Sequence, residues 1–191
     1  MLFGNNMKVT KRSIYVDYAA TTPVDDRVAR VMRKYLSDEF GNPSSVHSYG
    51  VRAKKAVEDS RKKVAGVLKC RPQEVYFTGG GTEGDNLAIF GIAKAYRNSI
   101  RDKYEYKDGR KYGHIITSAI EHHAVLSPCH ILEREGFDVT YLPVSKDGLV
   151  DPKNIKRALR PDTILVSIMY ANNEIGTIQP ISEIAKVIRH Y

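Results

Sequence analysis

Tryptophan is absent from the 191-residue chain, and cysteine occurs only as Cys70 and Cys129. Two isolated cysteines with no CxxC spacing exclude a zinc ribbon and a disulfide framework. No apolar run approaches the roughly twenty residues that a membrane-spanning helix needs. Met1 to Lys11 holds no apolar stretch of the kind that a secretory leader carries. A reducing cytoplasm is therefore the expected setting. Low-complexity tracts are also missing. A hydrophobic share of 42% with 27% charged residues is an ordinary globular composition, which excludes a disordered or fibrous chain.

Acidic residues are outnumbered, 22 against 30 Lys and Arg, for a net charge of +8. The excess is spread along helical stretches, with one local concentration from Lys94 to Lys111. There Lys94, Arg97, Arg101, Lys103, Lys107, Arg110 and Lys111 face Asp102, Glu105 and Asp108, with Tyr96, Tyr104, Tyr106 and Tyr112 between them. Basic and aromatic residues in alternation suit single-stranded nucleic acid. A charge run is more often a solvated face, and that reading is preferred, so no nucleic acid and no membrane is expected as a partner.

What is present is an alternation of short β-type runs and amphipathic stretches. Ser13 to Asp17 reads as a strand. Asp25 or Asp26 caps a helix with Val28, Val31, Met32, Tyr35 and Leu36 on one face. Val51 to Leu68 reads as a second helix, with Val57, Val64, Val67 and Leu68 on its apolar side. Glu74 to Phe77 reads as a strand, and Leu87 to Ala93 as the helix after it. His114 to Ser118, Phe137 to Leu142 and Thr163 to Met169 read as further strands. The last is the most apolar and is expected at the centre of the sheet. Helices are expected from Val125 to Glu135, with Val125, Leu126, Cys129 and Leu132 inward, from Asn154 to Arg160, and from Ile181 onward. This alternation predicts an α/β fold with a parallel sheet and right-handed crossovers.

The chemistry lies at the ends of these strand signals. Thr78-Gly79-Gly80-Gly81-Thr82 joins a β-type run to a helix. Consecutive glycines leave backbone N–H groups open to an oxyanion, and a following helix adds its positive end. Thr82 adds a hydroxyl. Ligands of parallel sheets sit beyond the carboxyl ends of the strands. His122 and Asn173 each follow a strand, so a phosphate loop, an imidazole and a carboxamide converge on one crevice.

The ordered motifs Asp17-Tyr18-Ala19-Ala20-Thr21-Thr22-Pro23, Phe40-Gly41-Asn42-Pro43-Ser44-Ser45, Phe77 to Glu83, Glu121-His122 and Asn172-Asn173-Glu174-Ile175-Gly176 carry a resemblance. The chain resembles NifS/IscS-type cysteine desulfurases of the class V aminotransferase group, from about residue 13 onward. The resemblance implies an α/β fold: a partial three-layer parallel-sheet sandwich of the PLP-dependent transferase (fold type I) large domain. Residues 1–20 would be an N-terminal segment on the small-domain side, and 21–191 the N-terminal half of the large domain. It implies pyridoxal 5'-phosphate as cofactor, with Gly81 and Thr82 at its phosphate. His122 would stack on the ring and assist proton transfers, as the catalytic residue. Asn173 would bond the phenolic oxygen, and no metal is implied. The implied reaction converts L-cysteine to L-alanine and leaves persulfide sulfur on the enzyme. An iron-sulfur scaffold or other acceptor protein would receive that sulfur, and a homodimer would be the working form.

The sequence departs from the family in extent, since members run to roughly twice this length, as two-domain enzymes do. The Ser-x-His-Lys segment with the Schiff-base lysine, the aspartate for the pyridine nitrogen and the persulfide cysteine are not among these 191 residues. The expectation is an N-terminal half, a fragment or one chain of a split enzyme completed by a second chain, inactive by itself and with an incomplete sheet. Two other readings stand beside it: a selenocysteine lyase or related class V β-lyase, and a non-catalytic homologue that binds or dimerises. Cys70 and Cys129 are expected to be structural.

Overall fold

His114–Ser118 (β1) is buried along its whole length and has a parallel neighbour on each side. The computed structural model describes residues 14–101 and 112–191. Its sheet has three parallel strands in the order β2-β1-β3, where β2 is Asp138–Leu142 and β3 is Thr163–Ser167. The register runs from His114 opposite Asp138 to Ser118 opposite Leu142, and from Ile115 opposite Leu165 to Thr117 opposite Ser167.

Successive residues of β1 point to opposite faces, and each face has its own core. Ile115 packs with Ile89 and Ala93 of helix α3 (Gly81–Arg101) and with Val125, Cys129 and Leu132 of helix α4 (His123–Arg134). Ile116 packs on the other side with Ile155 of helix α5 (Pro152–Ala158) and Ile184 of helix α6 (Ile181–Arg189). Two helical layers therefore enclose one sheet, the α/β sandwich expected. Phe137 is fully buried at the start of β2, just after Gly136 turns the chain out of α4 at φ 96°.

The sheet is also tied by polar groups. His114 is buried on β1 and bridges both neighbours, with Nδ1 2.8 Å from Thr163 Oγ1 and Nε2 2.8 Å from Thr140 Oγ1. Arg160 forks onto Asp162 and Asp138 at 2.9 Å and 3.0 Å, closing the same end of the sheet.

The described residues divide after Val75 into two separate compact units. The first contains helices α1 (Asp26–Ser37) and α2 (Ser48–Leu68) and a 3-10 turn, Pro72–Glu74. Asp25 caps α1 by accepting from Arg27 N–H at 2.8 Å. Gly50 of α2 lies so close to the Ser45 carbonyl that a Cβ has no room there. Arg61 donates to the Val75 carbonyl and holds the 3-10 turn against α2.

Four expectations need correction. β1, not the more apolar β3, is central, and β3 has a single partner among the described residues. Apolarity reports burial of faces, whereas centrality is decided by which edges pair. Residues 14–17 and 74–77 are not strands in the described structure: Glu74 closes the 3-10 turn, and Val75 N–H bonds back to the Pro72 carbonyl at 3.2 Å instead of across to a neighbouring strand. On α2 the buried residues are Gly50, Ala53 and Ala65, while Val64, Val67 and Leu68 are exposed. The apolar face of α1 is likewise exposed at Val28, Val31, Met32, Tyr35 and Leu36. Most of the basic stretch, residues 102–111, lies outside the described residues. Of its beginning, Arg97 pairs with Glu135 at 3.0 Å and Lys94 sits over the Phe90 ring. No helix among the described residues is long and apolar enough to cross a membrane.

Candidate functional site

The glycine loop passes directly into α3, whose first residue is Gly81. Gly79 N–H donates to Glu83 Oε2 at 2.6 Å, and Gly84 N–H to the Gly80 carbonyl at 3.1 Å. The N–H groups of Gly81 and Thr82 have no acceptor among the described residues, and both residues are exposed. Added Cβ atoms at Gly80 and Gly81 meet nothing within 4 Å, and neither glycine has a positive φ. Neither packing nor backbone conformation within this unit therefore demands these glycines. A bare helix start with free N–H groups and open space suits an anion that approaches closely.

His122 follows β1 and is the N-cap of α4: its Nδ1 accepts from Ala124 N–H at 3.0 Å. With Nδ1 an acceptor, the neutral ring carries its proton on Nε2. The ring is exposed. Asn173 follows β3 in a turn and is also exposed. His122 and Asn173 line one cleft of about 360 Å³, together with Ile120, Glu121, Asn172 and Glu174. The topology explains the meeting, since β1 and β3 are parallel neighbours and both loops leave at the carboxyl edge.

Gly81 and Thr82 do not line that cleft. Their link to it runs through Asn86, one turn into α3, whose Nδ2 donates to the Thr82 carbonyl at 2.7 Å and to the Ala124 carbonyl at 3.4 Å. The first turns of α3 and α4 are thereby joined, the one carrying the glycine loop and the other carrying His122.

Three residues that sequence reasoning left without a role hold the site. Asn86 was visible only as a polar residue at helical spacing from Thr82. Glu121 is buried, and its Oε1 accepts from Ser118 Oγ at 2.7 Å and from Met169 N–H at 2.9 Å. Burial pushes its carboxyl above the usual carboxylate range, the charge of Asp85 adds to this, and the two hydrogen bonds oppose it. Asn172 is buried beside the exposed Asn173; its Nδ2 donates to the Ile120 carbonyl at 3.0 Å, and its Oδ1 accepts from Glu174 and Ile175 N–H. The Asn172-Asn173 pair thus divides into a structural amide and a cleft-facing one. Cys129 is fully buried and its thiol is pushed up to about 11, so it is no nucleophile in the folded chain. No cluster of metal-ligating side chains occurs among the described residues.

Comparison with known proteins places the chain among relatives of one family. The family model for class-V aminotransferases matches residues 14–191. The cysteine desulfurase IscS of Dictyoglomus turgidum is 51% identical over 95% of this chain and 43% of that protein. The cysteine desulfurase IscS of Methanosarcina thermophila is 50% identical over 97% of this chain and 43% of that protein. Among solved structures, SspA in complex with cysteine superposes with a TM-score of 0.83 at 41% identity, covering 93% of this chain and 48% of that one. A NifS-like protein gives 0.79 at 38% identity, covering 90% and 44%. The chain spans somewhat less than half the length of the relatives it matches. Matched by that family model over residues 14–191, the chain belongs to the class-V aminotransferase family.

Proposed function

We propose that this chain forms one part of a pyridoxal-phosphate-dependent cysteine desulfurase, which takes sulfur from L-cysteine and releases L-alanine. The observation that carries the reading is the shared cleft of His122 and Asn173, joined through Asn86 to the open start of α3. In this reading residues 1–20 belong with the small domain and 21–191 with the large one. The complete enzyme acts as a cytoplasmic homodimer that hands persulfide sulfur to an iron-sulfur scaffold or another acceptor protein.

The residues present fit the cofactor. Free N–H groups of Gly81 and Thr82, the Thr82 hydroxyl and the positive end of α3 would hold a phosphate dianion, which needs donors and no bulk. The imidazole of His122 offers a flat face to the ring and a proton on Nε2, since Nδ1 is committed to Ala124. Asn173 would donate its amide to the phenolic oxygen as a neutral partner. When bound, pyridoxal phosphate supplies an electron sink for the substrate carbanion. Around it the protein would fix the ring's position, and His122 would offer its imidazole for proton transfer. The lysine that bonds the cofactor aldehyde, the aspartate for its nitrogen and the sulfur-carrying cysteine come from outside these 191 residues.

The test is turnover by the complete polypeptide, or by this chain together with the chain that completes it. L-cysteine should yield L-alanine and transferable sulfur in equal amounts. Absence of alanine release overturns the proposal, and a strong preference for selenocysteine replaces it with a lyase.

A further inference from the structure

His122 caps α4 after β1, and Asn173 sits in a turn after β3, so the two lie on different segments whose spacing across the cleft needs ties of its own. Two side chains bridge them, and they do so in opposite directions. Glu121, from the loop after β1, reaches across to the backbone N–H of Met169 after β3 at 2.9 Å. Asn172, from the loop after β3, reaches back to the backbone carbonyl of Ile120 after β1 at 3.0 Å. Each bridging group is anchored on its own side. Ser118 Oγ donates to Glu121 at 2.7 Å, while Glu174 and Ile175 N–H donate to Asn172 Oδ1 at 2.8 Å and 3.0 Å. Glu121 is 7% exposed and Asn172 9% exposed, so water competes little for these bonds.

We propose that Glu121 and Asn172 are positioning residues, a reciprocal clasp that sets the His122 ring and the Asn173 amide at a fixed separation across the cleft. This rests on the cofactor role given above to His122 and Asn173. Each clasp residue immediately precedes the residue it positions. The backbone of residue 121 or 172 cannot shift without moving its neighbour, so a bond to one loop is transmitted to both.

A buried carboxylate is a costly way to tie two loops, because desolvation works against its charge. Its advantage is that a single oxygen takes both the Ser118 hydroxyl and the Met169 N–H. A glutamine keeps that oxygen and drops the charge, whereas an alanine leaves the part-buried Met169 N–H without that acceptor.

The experiment compares wild type, Glu121→Ala and Glu121→Gln in the complete protein by two readouts. The first is amide hydrogen exchange, which needs no cofactor. In Glu121→Ala the amides of Glu174 and Ile175, bonded to Asn172 and not to Glu121, should exchange about tenfold faster, as expected for loss of one coupled hydrogen bond. Glu121→Gln should restore them. The second is turnover with cofactor bound: kcat should fall about tenfold to a hundredfold in Glu121→Ala with KM little changed, and recover in Glu121→Gln. Acceleration at Met169 alone, with Glu174 and Ile175 at the wild-type rate, shows two independent bonds and overturns the clasp. So does a wild-type kcat in a folded Glu121→Ala variant that keeps its cofactor. If the wild-type protein binds no pyridoxal phosphate, the proposed function fails, and the exchange rates alone decide whether the loops are clasped.

Discussion

Asn86 on α3 donates from Nδ2 to the carbonyl oxygen of Ala124 on α4 at 3.4 Å, and the same nitrogen reaches the Thr82 carbonyl at 2.7 Å. One amide therefore holds the start of the helix with the glycine loop to the start of the helix capped by His122. Asn86→Ala should lower unfolding stability by about 1 kcal/mol, the net worth of such bonds. Urea titration should show a lower midpoint at unchanged slope. The variant should also release pyridoxal phosphate faster than wild type, measured by dialysis of the complete protein. Unchanged stability and retention would mean that the two helices are held by apolar packing alone.

Thr82→Ala removes a hydroxyl from the free end of α3 without altering the core, since Thr82 is exposed. Cofactor affinity in the complete protein should drop about tenfold, as for one hydrogen bond to a charged group. Thermal stability without cofactor should stay close to wild type. Equal affinity in the two proteins places the phosphate elsewhere.

His122 has two duties that one substitution can separate. Its Nδ1 caps α4, and its ring faces the cleft. His122→Ala should lose about 1 kcal/mol of stability through the cap and should also slow turnover. His122→Asn keeps an N-cap acceptor and removes the flat, titratable ring. It should retain stability and cofactor while turnover stays slow. Full turnover in His122→Asn removes the stacking and proton-transfer role.

His114 makes stability depend on acidity. Burial, reinforced by the nearby charge of Arg160, holds its imidazole below the ordinary 6.5, with Asp162 and Asp138 opposing. The unfolded chain takes up its proton first as pH falls. Stability is therefore full above 6.5 and is lost as pH drops from there toward the folded value. Urea midpoints at about pH 7.5 and about pH 5.5 should differ in wild type, and His114→Gln should narrow the difference. An identical difference in both proteins assigns the acid sensitivity to other groups.

The two cysteines should differ in reactivity. Cys129 is fully buried on α4 with its thiol pushed up to about 11 by burial, while Cys70 is partly exposed after α2. Iodoacetamide at neutral pH should modify Cys70 in the native protein and reach Cys129 only in denaturant, read by peptide mass mapping. Native labelling of Cys129 at the rate of Cys70 means that α4 opens locally.

Much of the architecture was legible because local chemistry and tertiary packing agree. Asp25 caps α1, β1 to β3 fall on the β-branched runs, and Val125, Cys129 and Leu132 share the buried side of α4. Illegible parts are those decided by a distant partner. The apolar residues of α1 and α2 were read as inward faces, yet periodicity marks only a face that can bury, not one that does. Residues 74–77 have β-type composition, yet Glu74 and Val75 are drawn into the 3-10 turn, where Val75 N–H bonds to the Pro72 carbonyl at 3.2 Å.

The sequence alone determined the helices, the runs of β1 to β3, the glycine loop and the candidate residues His122 and Asn173, because turn chemistry and apolar periodicity act over a few neighbouring residues. Only the tertiary structure decided that β1 is central, that β1 and β3 bring His122 and Asn173 to one cleft, and that Glu121 and Asn172 tie their loops. Those outcomes depend on hydrogen bonds between residues about fifty positions apart, such as Met169 N–H to Glu121 and Asn172 to Ile120, which no local pattern encodes.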